Sequence, residues 1–351
     1  MPDPRDPVAV ADEVERWVGR RMESLGGSGN PRFSGPLESP AAGMSTTIWF
    51  GTLTGLDRAH LDDQRWAEPV ALRIFPSPSD SATATEEAAL LEFVAARGFP
   101  APTPLAVVDV GPDNPFAVPW TVLPRVPGRP MLDCITGAPH RARQLLRDLA
   151  DLAVRLHAID STGAPLTTDG PLIDRWFDRY EPDLRAVGDG EGDRVLDRLH
   201  HHRHLVLAEI PVVCHGDLHP LNVVSARTDT VWSHAVIDWT DAMIGDRHFD
   251  VARTTAIFGV LDVAIDQAWL RPVARRLGPR LAQMFLTRYR SVVELDNRRL
   301  DYWGAAHLVR GWAQVRSLAN ADQPTQAAAA VPQALADTLL HRASRLLDRC
   351  T

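Results

Sequence analysis

His215-Gly216-Asp217-Leu218-His219-Pro220-Leu221-Asn222 lies past the middle of the chain, followed by Ile237-Asp238-Trp239 and then Gly245-Asp246-Arg247-His248-Phe249-Asp250. Carboxylate and side-chain amide oxygens are hard ligands suited to a hard divalent cation. A carboxylate near an alcohol can also take up its proton. Phosphoryl transfer needs both functions, because charge on the transferring oxygens must be neutralised and the acceptor aligned. An Asp, an Asn five residues on and a second Asp on a following strand supply those parts. Taken singly, each is ordinary: His215 as a core histidine, Asp250 as a helix cap, Asp238 as a strand-end carboxylate. It is their combination that matches what phosphoryl transfer asks for.

Working toward the N-terminus, Val70-Ala71-Leu72-Arg73-Ile74-Phe75 reads as a strand, as do residues 44 to 53, 105 to 109 and 118 to 123. Between them, residues 85 to 97 carry Leu90, Leu91 and Val94 on one face of a helix that Gly98 ends. Residues 8 to 22 place Val8, Ala11, Val14, Trp17, Val18 and Met22 at helical spacing, ahead of a Gly- and Ser-rich connector. Pro124, Pro127, Gly128 and Pro130 break the pattern, and the chain then turns mainly helical. Leu145, Leu146, Leu149, Leu152, Ala153 and Leu156 repeat at helical spacing, short strands surround residues 210 to 238, and helices resume from residue 251. The expected organisation is an N-terminal helix and connector (1–30), a β-rich N-lobe (31–123), a hinge (124–130) and a helical C-lobe (131–351). Ligands often bind between two such lobes.

The H-G-D-x-H-x-x-N run, with I-D-W and G-D-x-x-x-D after it, closely resembles the aminoglycoside and macrolide phosphotransferase family, a small-molecule branch of the protein-kinase-like fold. The resemblance spans residues 37 to 255. It implies an α+β, bilobal protein-kinase-like fold and an ATP- or GTP-dependent enzyme that uses Mg2+. The γ-phosphoryl group would move to a hydroxyl of a small molecule, an antibiotic or a metabolite. By that resemblance Asp217 is the catalytic base, and Asn222 and Asp238 hold magnesium. Asp250 braces the catalytic loop with His215 packed beneath it. Ala42-Gly43-Met44-Ser45-Thr46-Thr47 resembles the family's nucleotide loop, with Gly43 and Ser45 near phosphate. Arg73 stands where the family's strand carries a phosphate-gripping lysine, a workable exchange because guanidinium also binds phosphate oxygens. Glu87, with Glu86 as its rival, matches the glutamate that pairs with that cation. Leu123 and Val126 lie on the linker that meets the base, and the Leu156-His157 pair is structural.

Composition narrows the classes of partner. The chain has 351 residues, 45% apolar, with a formal charge of −8 and no lysine, so all 37 basic residues are arginine. No basic stripe suggests nucleic acid. No apolar run reaches membrane-spanning length. The N-terminus lacks a signal pattern, and three widely spaced cysteines show no metal spacing. A cytoplasmic protein is the simplest reading.

Other features have plainer readings. His200, His201, His202 and His204 read as an incidental solvent-facing cluster. Trp239, Trp269, Tyr302, Trp303 and Trp312 read as core before pocket. Asp241, Asp262, Asp266, Glu294, Asp296 and Asp301 could receive a cationic acceptor, but arginines lie among them. The competing function is a nucleotide-binding, kinase-like regulatory protein with weak catalysis, for which Arg73 is the one argument. Gly216 and the absence of an activation segment after Asp238 argue against a protein kinase.

Overall fold

The structure, a computed structural model, describes residues 3–40, 46–187, 190–208, 210–261, 271–319 and 333–350. In chain order the main elements are α1 (Pro7–Ser24), β1 (Arg32–Phe33), β2 (Thr47–Thr54), β3 (Pro69–Ile74), α2 (Ser81–Ala96), β4 (Ala106–Val108) and β5 (Trp120–Pro124). There follow β6 (Arg129–Pro130), α3 (Met131–Gly137), α4 (Ala142–His157), α5 (Leu172–Ala186), α6 (Gly190–His202), β7 (Pro211–Cys214), β8 (Val223–Thr228), β9 (Val231–Val236) and β10 (Met243–Asp246). The chain then continues through α7 (Arg247–Gly259), α8 (Arg271–Arg290), α9 (Asn297–Ala319) and α10 (Gln333–Leu347). Met1–Gly128 with Val224–Thr240 forms one compact unit, and Arg129–Val223 with Asp241–Thr351 forms a second.

The first unit is built on an antiparallel sheet in the order β1-β2-β3-β5-β4. Alternation along β3 turns Val70 and Leu72 into the core, with Trp66, Trp120 and Val122 around them. The N-terminal helix completes that core with most of the stripe its sequence suggests, Ala11 and Trp17 partly buried against it, but with Val10 in place of Val8. Val10, Val14, Val18 and Met22, spaced four apart, are buried, whereas Val8 is 68% exposed. Each such burial contributes about 1.5–3 kcal/mol, so the helix belongs to the fold of this unit. Asp6 caps it, its side chain accepting from the Val8 N–H. Helix α2 starts at Ser81, four residues before the sequence expectation. A turn closed by reciprocal Ser77 and Asp80 side-chain bonds leads straight into it. Glu87 therefore sits in the second turn of α2 and not at its start, so the helix dipole does not account for it.

The second unit is mainly helical. Leu145, Leu146, Leu149, Leu152 and Leu156 of α4 are buried, as are Phe285 and Tyr289 of α8, Tyr302, Trp303 and Trp312 of α9, and Leu339, Leu340 and Leu347 of α10. The aromatic residues singled out in the sequence are thus core, Trp239 included at 1% exposure, while Trp269 lies outside the described residues. Two short strands interrupt the helices. β7 pairs antiparallel with β10, from Met243 opposite Cys214 to Asp246 opposite Pro211. Four residues are too few to show alternation, so the sequence did not announce β10. Cys134, Cys214 and Cys350 are buried, and among the described residues none is in a disulfide. Among the described residues no helix is long and apolar enough to cross a membrane.

Candidate functional site

In the first unit, β3 and α2 bring Arg73 against Glu87. Arg73 Nη1 donates to Glu87 Oε1 at 2.5 Å, and both side chains are under a tenth exposed. Glu86, the rival partner, faces solvent. Arg73 Nη2 donates to Asp238 Oδ1 (3.1 Å) and to Thr240 Oγ1 (2.6 Å), its Nε donates to Thr46 Oγ1 (3.2 Å), and the guanidinium lies 5.0 Å from the Phe75 ring centre. Burial opposes the charge, but Glu87 and Asp238 outweigh it and hold Arg73 more firmly protonated than a free guanidinium. Asp238 adopts φ 64°, a left-handed conformation that Asp tolerates better than most residues. The adjoining Trp239 N–H donates to Glu87 Oε1 at 3.1 Å, while among the described residues the buried Glu87 Oε2 has no partner.

Leu123 lies on β5 opposite Ala71 of β3, and Val126 follows that strand; both are half-buried. Just beyond them, Gly128 has φ 125°, and a Cβ there would meet the Ser225 carbonyl oxygen at 2.4 Å. That turn demands glycine. Gly43 and Ser45 lie outside the described residues.

In the second unit, the stretch from His215 to Asn222 leaves β7 as a loop tied from below. Asp250, fully buried on α7, accepts the His215 N–H (2.7 Å) on one carboxylate oxygen and the Gly216 N–H (2.6 Å) on the other. His157 Nε2 lies 3.2 Å from the same carboxylate, and its Nδ1 is 2.7 Å from Tyr289 Oη. Burial alone would raise the pKa of Asp250, yet the His157 bond and these N–H donors hold it below the ordinary carboxylate range. Cys214 and His157 converge with Asp250 closely enough to bracket a cation, but this carboxylate is already spent on the loop. Thr254 adds a second tie, its hydroxyl donating to the Leu218 carbonyl at 2.6 Å. Gly216 has φ 81°, and a Cβ would stand 2.0 Å from the Asp241 carbonyl oxygen, so only glycine fits.

Held this way, Asp217 is surrounded by donors. Its backbone N–H donates to His215 Nδ1 (3.2 Å). Asn222 Nδ2 donates to its carbonyl (3.0 Å) and to its Oδ2 (3.3 Å), His219 Nε2 is 3.4 Å from Oδ2, and Arg253 Nε donates to Oδ1 at 2.6 Å. Burial works against ionisation here, but the His219 bond and the Arg253 charge prevail and keep Asp217 ionised well below the usual range. Asp241, a candidate for cationic ligands, is taken up by Arg310 Nη2 (2.6 Å), Arg179 Nη2 (3.3 Å) and Tyr180 Oη (3.1 Å). Asp296 caps the following turn by accepting from the Arg298 N–H, and Asp262 and Asp266 lie outside the described residues. The histidine cluster is not uniformly solvent-facing. His202 is buried, and His200 stacks on Phe177 and pairs with Glu181.

Asn222 and Asp238 carry the oxygen chemistry that a hard divalent cation asks for. The Asn222 amide nitrogen is spent on Asp217, so its oxygen is the uncommitted end. Asp238 has only Oδ1 engaged among the described residues, and its side chain is 44% exposed. Sequence reasoning missed Arg253, Thr240 and the Asp241–Arg310 pair. Arg253 follows Asp250 by three residues, nearly one helical turn, and that spacing was the available signal.

Comparison with known proteins bears on the same residues. The family described as "Phosphotransferase enzyme family" matches residues 57–289. Aminoglycoside 3'-phosphotransferase of Streptomyces fradiae is 30% identical over 233 residues, covering 62% of this chain and 76% of that protein. Among solved structures, a thermostable mutant of an aminoglycoside phosphotransferase in its apo form superposes with TM-score 0.62 at 15% identity, over 95% of this chain and 98% of that one. An amicoumacin kinase in complex with AMP-PNP, Ca2+ and Ami gives 0.59 at 15% identity, over 89% and 88%. These structures share a kinase-like fold with the present chain, β-rich in its N-terminal region and mostly helical in its C-terminal region. The family match takes in both the Arg73–Glu87 pair and the Asp250-braced loop, and the chain belongs to the phosphotransferase enzyme family.

Proposed function

We propose that this phosphotransferase moves the γ-phosphoryl group of ATP, or of GTP, onto a hydroxyl of a small molecule, an antibiotic such as an aminoglycoside or macrolide, or a metabolite. The observation that carries the reading is Asp217, a carboxylate held ionised at the centre of a loop that Asp250 ties in place. An ionised, oriented carboxylate aligns an acceptor hydroxyl and accepts its proton as the phosphoryl group departs its donor. A loose transition state places little demand on the base's strength, so low basicity is no obstacle. Asn222 and Asp238 are the proposed magnesium ligands, and bound magnesium would neutralise charge on the phosphate oxygens. Arg73, paired with Glu87 and Asp238, supplies positive charge in the first unit, with Gly43, Ser45, Leu123 and Val126 as the remaining nucleotide-binding set. The cytoplasm, where nucleoside triphosphates are plentiful, is the proposed location.

The test is magnesium-dependent loss of ATP or GTP in the presence of a panel of hydroxylated antibiotics and metabolites, with products followed by mass. Gain of one phosphoryl group by an acceptor supports the reading. Tight nucleotide binding with no transfer to any acceptor would favour a regulatory role instead.

A further inference from the structure

Arg253 is held by one arm only. Its Nε donates to Asp217 Oδ1 at 2.6 Å, its side chain is 19% exposed, and among the described residues neither Nη group has a hydrogen bond or ion pair. A guanidinium anchored through Nε presents its two Nη groups as a fork, the geometry that binds carboxylate and phosphate oxygens in pairs. The anchor also limits the freedom lost when a ligand binds.

The surroundings favour an anion. Arg310, on α9, spends Nη2 on Asp241 and stacks on the Tyr180 ring at 4.4 Å, but among the described residues its buried Nη1 has no partner. Arg253 and Arg310 both act electrostatically on Asp217, and both act on His307. His307 adds no charge near neutral pH, since burial pushes it down to about 3. Its Nε2 donates to the Phe249 carbonyl (2.9 Å), and its Nδ1 is a buried acceptor without a partner. Two carboxylates, Asp217 and Asp241, thus stand against three guanidinium groups, those of Arg179, Arg253 and Arg310. No carboxylate in this group is left free for an ammonium ion, whereas two arginines keep nitrogen donors in reserve.

We propose that the open fork of Arg253, within the cluster that includes Arg310, is an oxyanion-binding site beside Asp217 that takes a phosphoryl or carboxylate group. Two sources share that chemistry: the phosphoryl group in transfer, and an anionic substituent on the acceptor. The site's place in a reaction rests on the phosphotransferase reading, but its capacity to bind an anion does not.

Inorganic phosphate is the probe, titrated by calorimetry into the parent, Arg253→Lys and Arg253→Gln, with the thermal transition followed alongside. Lysine keeps a positive charge facing Asp217 and removes the fork, so Arg253→Lys reports on anion binding even if Arg253→Gln folds poorly. The expected result is phosphate binding by the parent that weakens about tenfold or more in Arg253→Lys. Equal affinity in parent and Arg253→Lys, or no binding by the parent, overturns the proposal. A second arm identifies the source. If the fork holds the transferring group, Arg253→Lys loses the parent's preference for AMP-PNP over ADP. If it reads the acceptor, that preference stays, and KM rises for carboxylate- or phosphate-bearing acceptors but not for neutral ones. A parent that binds phosphate through Arg253 and transfers to no acceptor would sink the phosphotransferase reading while leaving the anion site standing.

Discussion

Arg73 in the first unit and Arg253 in the second are each bound to an aspartate of its own unit, Asp238 and Asp217, and they differ in what is left over. Arg73 reaches Glu87, Asp238, Thr240 and Thr46, with 8% of its side chain exposed. Among the described residues Arg253 reaches Asp217 alone and keeps its fork open. A guanidinium with three arms engaged is a strut: it fixes the carboxylates around it and has little to offer a ligand. One with a single arm engaged is oriented without being consumed. Asp250 and Asp217 make the same contrast between carboxylates. Asp250 is fully buried and spent on backbone N–H groups, while Asp217 is partly exposed and paired with the side chains of Arg253, His219 and Asn222.

The strut side of the comparison breaks first at Asp250. Asp250→Ala leaves two buried N–H groups and His157 without their acceptor. Bonds to a charged group are worth about 1.5–3 kcal/mol each, so we expect a loss of about 4 kcal/mol or more in urea unfolding. A loss under about 1 kcal/mol would mean that the loop is held by other contacts, Thr254 foremost.

Arg73→Ala comes next. Removing one partner of a buried pair costs about 3–5 kcal/mol, and we expect the lower end, because Asp238 can turn to solvent. Arg73→Lys should lose less, since an ammonium can keep Glu87 but not span to Thr46 and Thr240. The Arg73→Ala and Glu87→Ala effects should be non-additive by about 0.5–3 kcal/mol, as for residues in one ion pair. Glu86→Ala, on the exposed face, should stay within about 0.5 kcal/mol of the parent. Additive Arg73 and Glu87 effects would remove the strut.

A pH dependence comes last. His307 is held neutral in the fold, titrating at about 3, whereas it titrates near 6.5 when unfolded. Between those values the unfolded chain binds the extra proton, so stability falls as pH falls from about 6.5, by up to about 1.4 kcal/mol per unit. The buried carboxylates Asp246 and Asp250, held low in the fold, add their loss only below about pH 4. His307→Gln should flatten the curve between about pH 6 and 4.5 and leave the steeper acid limb. An unchanged curve would show that His307 is reached by solvent in the folded state.

What could be read from sequence, and what could not, divides along the same line. The loop from His215 to Asn222 is legible because its parts are close in the chain and their spacing encodes one local geometry. So is the Arg73–Glu87 pairing, up to the one-residue ambiguity that burial resolves in favour of Glu87. The stripe of α1 was misjudged at Val8 and Val10 because apolar residues on neighbouring positions leave the helix free to rotate, and only packing against Trp66 and Trp120 chooses. Thr240, Arg253 and the Asp241–Arg310 pair were missed for a different reason. Arg310 is sixty-nine residues from Asp241 and meets it only because helix α9 is folded back toward β10 within the second unit. No local pattern marks such a pair. Asp246 is similar: read as part of a motif, it is also a buried hub for His248, Arg299 and Trp303.

The central claim is that Asp217, held ionised on an Asp250-braced loop, serves phosphoryl transfer. Asp217→Asn keeps the size and much of the hydrogen bonding of that side chain and removes its capacity to accept a proton. The direct measurement is magnesium-dependent phosphoryl transfer to the best acceptor from the panel, parent against Asp217→Asn, with nucleotide affinity and thermal stability measured on the same samples. We expect kcat to fall by about 10²–10⁴-fold while nucleotide affinity and thermal transition stay close to the parent's. Transfer by Asp217→Asn at the parent's rate would contradict the account.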